Sequence, residues 1–316
     1  MKFPGHTFIV ATDYETCAEF CDEKRFPKTI FALREMRHAM HDGLFTAIDG
    51  ETEPNWGIAH RVLVPAFGPA SLRNMYEGMY DMTSQLAMKW ARFGKNSPIT
   101  VADDMTRLTL DVIALCSMDF RFNSYYRTGT HPFVEAMSEF LVESGDRFRR
   151  LPVPAWFYRK ADRKFFGNVD VMRNTASEIL QERKNETSEQ LSKRKDLLSA
   201  MLNGVDPKTG QKMTEESILD NLITFLIAGH ETTAGTLSFA MYHIMKNPEI
   251  YRKVREEVDR VCGQETIRFE HLSKLPYINA VSCTAPKDHL FLVDDIEDSQ
   301  RNPASDTTTP GIQCCA

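Results

Sequence analysis

The strongest constraint on the fold is one long stretch of helix-forming sequence, residues 215–246. Thr214 is a good N-cap residue, two glutamates follow it where the helix dipole favours negative charge, and Pro248 stops the pattern. At about 1.5 Å per residue the helix would be roughly 45 Å long. Residues 219–239 are apolar on nearly every side, so this helix is expected to be central and buried.

Helical spacing of apolar residues recurs along most of the remaining sequence. It predicts helices over residues 13–23, 29–41, 55–66, 71–93, 101–116, 132–143, 168–185, 194–202 and 248–262. A short β-branched and aromatic run at residues 6–11 is typical of a strand. Because 42% of the residues are hydrophobic, the chain can bury a sizeable core. We therefore expect a mainly α fold with a long central helix and little β.

Composition and spacing exclude several classes of function. The net charge is −6 and no basic stripe is present, which argues against nucleic-acid binding. No apolar run reaches the roughly 18 residues that a membrane span needs, so we predict a cytoplasmic protein without a span. The seven cysteines are scattered without a CxxC pair, so neither a disulfide framework nor a zinc site is indicated. Residues 204–212 do not match a phosphate-binding loop and predict a turn.

Residues 228–233, AGHETT, lie in the middle of the central helix. A glycine costs about 1 kcal/mol there and a buried carboxylate costs more, so Gly229 indicates close packing and Glu231 a function. Thr232 can bond the carbonyl one turn earlier and bend the helix, which suits a site that holds water and relays protons. A satisfied polar cluster in a core helix is the other interpretation. A zinc-protease HExxH motif is excluded because Ala234 replaces its second histidine.

Other motifs accompany AGHETT. Residues 56–61, WGIAHR, place Trp56 and His60 four apart on one helix face. The remaining matching stretches are 42–47, 103–116, 121–127, 201–210 and 222–233. With the (A/G)Gx(D/E)T pattern of AGHETT, the chain from about Gly5 to Val281 resembles the cytochromes P-450. It is most similar to the self-sufficient fatty-acid hydroxylases of bacteria and fungi, in which a P-450 is fused to its reductase.

The resemblance implies a haem-thiolate monooxygenase. Such an enzyme inserts one oxygen atom of O2 into a fatty acid or similar small lipophilic substrate, with electrons from NADPH through a flavin reductase. Thr232 and Glu231 match the catalytic residues that deliver protons for cleavage of the O–O bond. Ala228 and Gly229 match positions that lie over the haem, where the glycine leaves room for oxygen.

The resemblance also implies roles outside the central helix. Trp56 and His60 match the pair that hydrogen-bonds a haem propionate. Phe45 matches a pocket aromatic that restricts where the substrate is oxidised. Leu33 matches an apolar position of the substrate channel, although core packing alone would explain a leucine there.

The substrate prediction is weakened at the N-terminal end of the chain. The chain begins after the family's proline-rich segment and first strand. An ungapped alignment places His6 and Val10 where relatives have the arginine and tyrosine that hold a fatty-acid carboxylate. Neither replacement does this well at neutral pH. Fatty acid is therefore the favoured substrate only by resemblance.

Two further departures concern the haem ligand. The family's ExxR helix is expected after residues 275–281, but SCTAP follows at once. The ExxR spellings at 249–252 and 257–260 lie in the preceding charged helix, and we interpret them as surface i,i+3 pairs. No FxxGxRxCxG loop is present, and Cys314 and Cys315 lack its glycine and arginine context, so the axial cysteine ligand is missing.

These departures divide the chain into two parts. Residues 1–281 form the front and middle of a P-450 haem domain, and residues 282–316 form an aberrant, polar tail that we expect to be disordered. We expect this chain to lack activity by itself and to expose an apolar face of the central helix. The alternative is a non-catalytic helical remnant or interaction protein from a mis-spliced or frameshifted gene.

Overall fold

The computed structural model describes residues 2–3, 6–7, 11, 13–22, 25–26, 30–47, 53–94, 97–127, 129–148, 150–151 and 153–284. The α-helices in these residues are α1 (Tyr14–Phe20), α2 (Arg37–Met40), α3 (Pro54–Leu63), α4 (Pro69–Phe93), α5 (Val101–Met118), α6 (Pro132–Phe148), α7 (Arg159–Lys184), α8 (Ser188–Lys193), α9 (Leu197–Asn203), α10 (Glu215–Lys246), α11 (Pro248–Cys262), α12 (Phe269–Leu272) and α13 (Pro276–Thr284). Short 3-10 helices lie at Phe31–Met36, Val64–Phe67, Ser124–Tyr126 and Ala155–Tyr158.

The β structure described is one short antiparallel pair, β1 (Lys2–Phe3) and β2 (His6–Thr7). Lys2 pairs with Thr7, and Phe3 pairs with His6. The strand predicted at 6–11 therefore begins as expected, while residues 8–10 lie outside the described part of the chain. The prediction of a mainly α fold with little β is confirmed.

The central helix α10 has the predicted bounds. The Thr214 hydroxyl accepts a hydrogen bond from the Ser217 amide at 3.2 Å, which caps the helix as expected. Its N-terminal half is buried against α5, α7 and α2, with Leu222, Ile223 and Leu226 fully inside the main core. The core therefore forms around the first half of this helix.

The C-terminal half of α10 differs from the expectation of burial on nearly all sides. Ala228, Glu231, Thr232 and Phe239 are exposed, so that expectation is wrong beyond Ile227. The reason is that the described elements cover mainly the side of this half that faces α5 and α4, where Ala234 is buried. The side away from α5 is exposed, but it is mixed in character rather than apolar as expected, since it carries Glu231 and Thr232 as well as Ala228 and Phe239.

Other helices extend or add to the predicted ones. Helix α7 begins at Arg159 rather than near 168, and α8, α12 and α13 were not predicted. Residues 285–316, most of the predicted disordered tail, lie outside the described part of the chain. Among the described helices, none combines the length and apolarity needed to cross a bilayer.

The two ExxR spellings in α11 have different environments. Glu249 and Arg252 form an exposed ion pair at 2.6 Å, as predicted. Glu257 is instead buried, and its carboxylate accepts the amides of Tyr277 and Ile278 at 3.0 Å each. Glu257 also lies 3.8 Å from the Arg260 guanidinium group, so the i,i+3 pair is present, but the expected surface position of Glu257 is wrong. Its carboxylate satisfies the free N–H groups at the start of α13 and holds α13 against α11.

Candidate active site

The middle turn of α10 presents Ala228, Glu231 and Thr232 on its exposed face. The Thr232 hydroxyl donates to the Ala228 carbonyl at 2.7 Å, which confirms the predicted bond to the preceding turn. The helix is continuous from Glu215 to Lys246, so this bond forms without an interruption of the helix. A carboxylate and a hydroxyl therefore stand side by side on an accessible surface.

Gly229 lies on the other side of the same turn, against α5. A Cβ atom at this position would lie 2.7 Å from both Cγ1 and Cδ1 of Ile113, well inside van der Waals contact. The close packing predicted from the glycine is therefore present, and its partner is Ile113. The proposed role of Gly229 in leaving room for oxygen stays a prediction.

The Glu231 carboxyl group lies beside an open depression. Ala102 and Thr106 of α5 and Ala234, Gly235, Ser238, Phe239 and Tyr242 of α10 form the rest of its lining. Partial burial raises the pKa of Glu231 above its ordinary value, and no cation among the described residues offsets that effect. Glu231 therefore holds a proton more readily at neutral pH than a fully solvated glutamate does.

His230, next to Glu231, points into the protein and has only 1% of its surface exposed. Neither ring nitrogen has a hydrogen-bond partner in the described structure. Burial lowers the pKa of His230 to about 4, although the Thr106 backbone partly offsets this effect. The Thr109 hydroxyl of α5 donates to the His230 carbonyl at 3.0 Å. Sequence reasoning missed this burial because the motif alone does not say which side of α10 faces α5.

Trp56 and His60 form a pair on α3. Their rings stack with centroids 4.6 Å apart and planes 16° from parallel, which confirms that both lie on one face. Both side chains are half-buried, and neither hydrogen-bonds to another described residue. Their polar N–H groups are therefore available to a ligand with acceptor oxygens.

The next residue on α3, Arg61, fixes that helix to the turn at residues 206–210. Its guanidinium group bonds both carboxylate oxygens of Asp206, at 2.6 and 2.9 Å. Arg61 holds the pKa of Asp206 well below its usual range. Asp206 also accepts from the Lys208 amide and the Thr209 hydroxyl, so the predicted turn is confirmed. Sequence reasoning missed this ion pair because its partners are far apart in the chain.

Phe45 follows a segment that is bound to the first half of α10. The Leu44 amide donates to the side chain of Asn221 at 3.1 Å, and Asn221 in turn donates to the Ser217 carbonyl at 2.7 Å. Phe45 itself is 44% exposed. Leu33 packs against the main core, in agreement with the core-packing interpretation of that residue.

The eight predicted site residues thus lie in four places. Trp56 and His60 are in direct contact, and Ala228, Glu231 and Thr232 share one face of α10. Gly229 faces α5, and Phe45 and Leu33 lie on the segment before α3. The main core, which contains residues of both α3 and α10, connects these groups.

Comparison with known proteins gives the family. The family model for cytochrome P-450 matches residues 1–282. The chain belongs to the cytochrome P-450 family. A bifunctional cytochrome P-450/NADPH–P-450 reductase of Fusarium oxysporum is 58% identical over 265 residues, which are 83% of this chain and 24% of the relative. Its counterpart in Aspergillus oryzae is 52% identical over 278 residues, 88% of this chain and 25% of the relative.

A self-sufficient cytochrome P-450 monooxygenase of Exserohilum turcicum is 46% identical over 288 residues, 89% of this chain and 26% of the relative. The chain therefore spans about a quarter of the length of the curated relatives it matches. These comparisons confirm the resemblance to self-sufficient P-450 proteins. They do not favour the alternative of a non-catalytic remnant.

Haem is the cofactor of cytochromes P-450, and part of its site fits the described residues. Trp56 and His60 offer N–H groups for a propionate, and the exposed face of α10 offers the small side chain of Ala228 and the polar side chains of Glu231 and Thr232. An iron-binding thiolate is not found among the cysteines with described side chains. Burial raises the pKa of the Cys116 thiol to about 11, and Cys262 is buried in α11. Cys17 in α1 and Cys21 directly after it are exposed.

Proposed function

We propose that this chain forms the propionate-binding and oxygen-facing part of a haem monooxygenase site for a fatty acid or similar lipophilic substrate. The observation that carries the proposal is the exposed Glu231–Thr232 pair on a central helix whose N-terminal half is buried, in a chain that also presents the Trp56–His60 donors. By analogy with the relatives' names, a flavin reductase would supply electrons from NADPH. Haem, when bound, would supply activation of O2.

We assign separate roles in this site to residues of α3 and of α10. The Trp56 and His60 N–H groups would donate hydrogen bonds to a propionate and orient it; such bonds are charge-assisted because the acceptor is a carboxylate. Because its pKa is raised, the Glu231 carboxyl group at the exposed face of α10 would take up and pass on a proton more readily than a fully solvated glutamate. The Thr232 hydroxyl donates its hydrogen bond to the Ala228 carbonyl. The Thr232 oxygen can therefore still accept a hydrogen bond from water or from Glu231.

Substrate selection is proposed for the segment before α3. Phe45 is half-exposed, and its backbone neighbour is held by Asn221, so its ring would keep a defined position next to a substrate chain. Leu33 packs against the core and would at most line the channel. We propose residues 1–281 as the haem-domain part of the chain. We also propose that the chain has no activity by itself, because no FxxGxRxCxG loop occurs in its sequence.

The test is titration of the purified chain with haemin, followed by Soret absorbance and by quenching of tryptophan fluorescence. Saturable haemin binding would support the proposal if His60→Ala and Trp56→Phe both weaken it. Binding by these two variants is followed by Soret absorbance. Tyr126→Ser, in an exposed 3-10 helix away from α3, is the matched control. Binding that is unchanged by both α3 variants would contradict it.

The spectrum of the reduced, carbon monoxide-treated complex tests the proposed inactivity. Because thiolate ligation shifts the Soret band strongly to the red, a strongly red-shifted band would contradict inactivity and would call for an assay of fatty-acid hydroxylation. A band typical of weakly bound haem is the expected result.

A further inference from the structure

Two neighbouring cysteines at α1 are exposed, which is unusual for this type of residue. Cys17 lies within α1, Cys21 directly follows the helix, and both side chains are exposed. Cys116 and Cys262 are buried, as a cysteine that only fills space in a core usually is. Helix α1 buries none of its side chains, so core packing does not explain why cysteines stand at these positions. Both thiol groups are instead accessible to a ligand.

The helical backbone sets the spacing of the two thiols. The Cys21 amide donates to the Cys17 carbonyl at 3.2 Å, and the Cys17 amide donates to the Asp13 carbonyl at 3.1 Å. The Asp13 side chain caps this helix, since it accepts a hydrogen bond from the Thr16 amide at 2.8 Å. Residues four apart in a helix lie on one face, with Cβ atoms about 5–6 Å apart. Cys17 and Cys21 therefore lie side by side on the surface.

This separation is too wide for a disulfide bond and suits a bridging metal ion. A disulfide needs Cβ atoms about 3.5–4.5 Å apart, so a Cys17–Cys21 bond would distort the end of α1. A metal ion that binds sulfur at about 2.3 Å, as Zn²⁺ does, holds two sulfur atoms up to about 4.6 Å apart. Thiolates select soft ions, among them Cu⁺ and Zn²⁺. One such ion can therefore bind both sulfur atoms while the backbone stays helical.

The charges around the two thiols favour a cation over an anion. Four carboxylates and no lysine or arginine occur in residues 13–22. The Arg25 guanidinium group lies 2.7 Å from one of these carboxylates, Glu19, and offsets part of the negative charge. The Cys17 thiol reaches the Ala11 carbonyl at 3.9 Å, a weak contact that a metal ion would readily replace. Cations are therefore concentrated beside accessible sulfur atoms.

We propose that Cys17 and Cys21 form a two-thiolate site for a soft metal ion. Each thiol gives up one proton when its sulfur binds, so a divalent ion releases two protons and no electron is transferred. The sequence has no CxxC pair of the kind that closed four-ligand zinc sites use, so water completes the coordination of the ion. The site lies apart from α3 and α10, and metal binding there can be tested whether or not the chain binds haem.

Titration of the reduced full chain with Cd²⁺ tests the proposal, because thiolate-bound Cd²⁺ gives a sulfur-to-metal charge-transfer band in the ultraviolet. The sequence holds a second pair of thiols, so the reference chain carries Cys314→Ser/Cys315→Ser. We expect one ion to bind per chain, two protons to be released, and binding to tighten as the pH rises.

Serine variants assign the bound ion to its ligands. Loss of a group that merely supports a metal ligand costs roughly 10-fold or more in affinity, so Cys17→Ser and Cys21→Ser should each weaken Cd²⁺ binding by at least that factor. The double variant should lose the charge-transfer band. Both side chains are exposed, and far-UV circular dichroism checks that the helices are retained.

The matched control is a second group of possible ligands in the described part of the chain. His41, Glu216 and Asp220 offer ligand atoms that all lie within 4.8 Å of one another. Arg173 already pairs with both carboxylates, and its distance to Asp220 is 2.9 Å, so a cation occupies their charge. His41→Ala should therefore leave Cd²⁺ binding unchanged.

Amide exchange gives a readout that does not depend on a loss of binding. An ion that bridges the two sulfur atoms should slow exchange at the Cys21 amide, which bonds the Cys17 carbonyl. Unchanged Cd²⁺ binding by Cys17→Ser/Cys21→Ser would overturn the proposal. One ion shared between two chains, measured by sedimentation equilibrium, would overturn it in favour of an intermolecular site. A reduced chain that binds no Cd²⁺ but forms a Cys17–Cys21 disulfide with oxidised glutathione would overturn it in favour of a redox pair.

Discussion

Gly229→Ala adds one methyl group at the contact between α10 and α5. The new Cβ would lie 2.7 Å from Cγ1 and Cδ1 of Ile113 and 3.3 Å from its Cβ. Because Ile113 is β-branched and sits in a helix, it has one strongly preferred χ1 rotamer and cannot easily turn away. The two helices would have to separate by a few tenths of an ångström or more.

Two opposed effects set the change in the free energy of unfolding of Gly229→Ala, overpacking and helix propensity. Overpacking of a well-packed contact costs about 1–3 kcal/mol. Replacing glycine by alanine in a helix gains about 1 kcal/mol. Gly229→Ala should therefore lower the free energy of unfolding by about 0–2 kcal/mol. Gly235, on the same helix, has no heavy atom within 4 Å of the point where a Cβ would lie, so Gly235→Ala should raise that free energy by up to ~1 kcal/mol.

Urea unfolding followed by far-UV circular dichroism measures both variants. Their difference isolates the clash, since the propensity gain is common to both, and it should be about 1–3 kcal/mol. Ile113→Ala removes both crowded atoms, so the double variant Gly229→Ala/Ile113→Ala should be more stable than the sum of the single changes by about 0.5–3 kcal/mol. Equal stability of the two glycine variants, or additivity with Ile113→Ala, would refute the packing argument.

Three further predictions use the same unfolding assay or amide exchange. Glu257→Ala leaves the Tyr277 and Ile278 amides without their acceptor and should cost about 2–3 kcal/mol, whereas Glu249→Ala in an exposed pair should cost less than ~0.5 kcal/mol. The pKa of His230 is about 4 in the folded chain and about 6.5 when unfolded, so the unfolded state binds more protons between these values. Stability should fall as the pH falls through that window, by up to ~1.4 kcal/mol per pH unit, and His230→Leu should reduce this slope. Asn221→Ala removes the acceptor of the Leu44 amide and should speed amide exchange at Leu44.

Helix bounds could be predicted where the chain carries its own stop signals. Thr214, Pro248 and Gly94 mark ends of α10, α11 and α4 that agree with the structure, because caps and helix breakers act within a few residues. The start of α7 was missed because residues 159–167 are mostly charged and lack a clear apolar stripe. Their helix is held by tertiary contacts such as Asp162 with Arg150.

In the candidate site, too, local features could be predicted from the sequence and contacts between distant elements could not. The spacing of Trp56 and His60 was enough to predict their shared face, since residues four apart in a helix are neighbours. The burial of Glu257, the contact of Gly229 with Ile113 and the acceptor role of Asn221 depend on elements far apart in the sequence. No local pattern contains that information, and only the packing of α10 against α5 and against Leu44, and of α11 against α13, reveals it.

Thr232 differs from the other hydroxyl residues of α10 in its position, not in its hydrogen bond. Its hydroxyl bond to the carbonyl one turn earlier is not special, because Thr224, Thr236 and Ser238 make the same bond at 2.7, 2.9 and 2.7 Å. That bond satisfies a hydroxyl in any helix and carries no functional information by itself. What distinguishes Thr232 is its position on an exposed face beside Glu231, a carboxyl group whose pKa is raised. In the proposed function, Glu231 is therefore the residue that would deliver protons at this turn, and Thr232 would act through it.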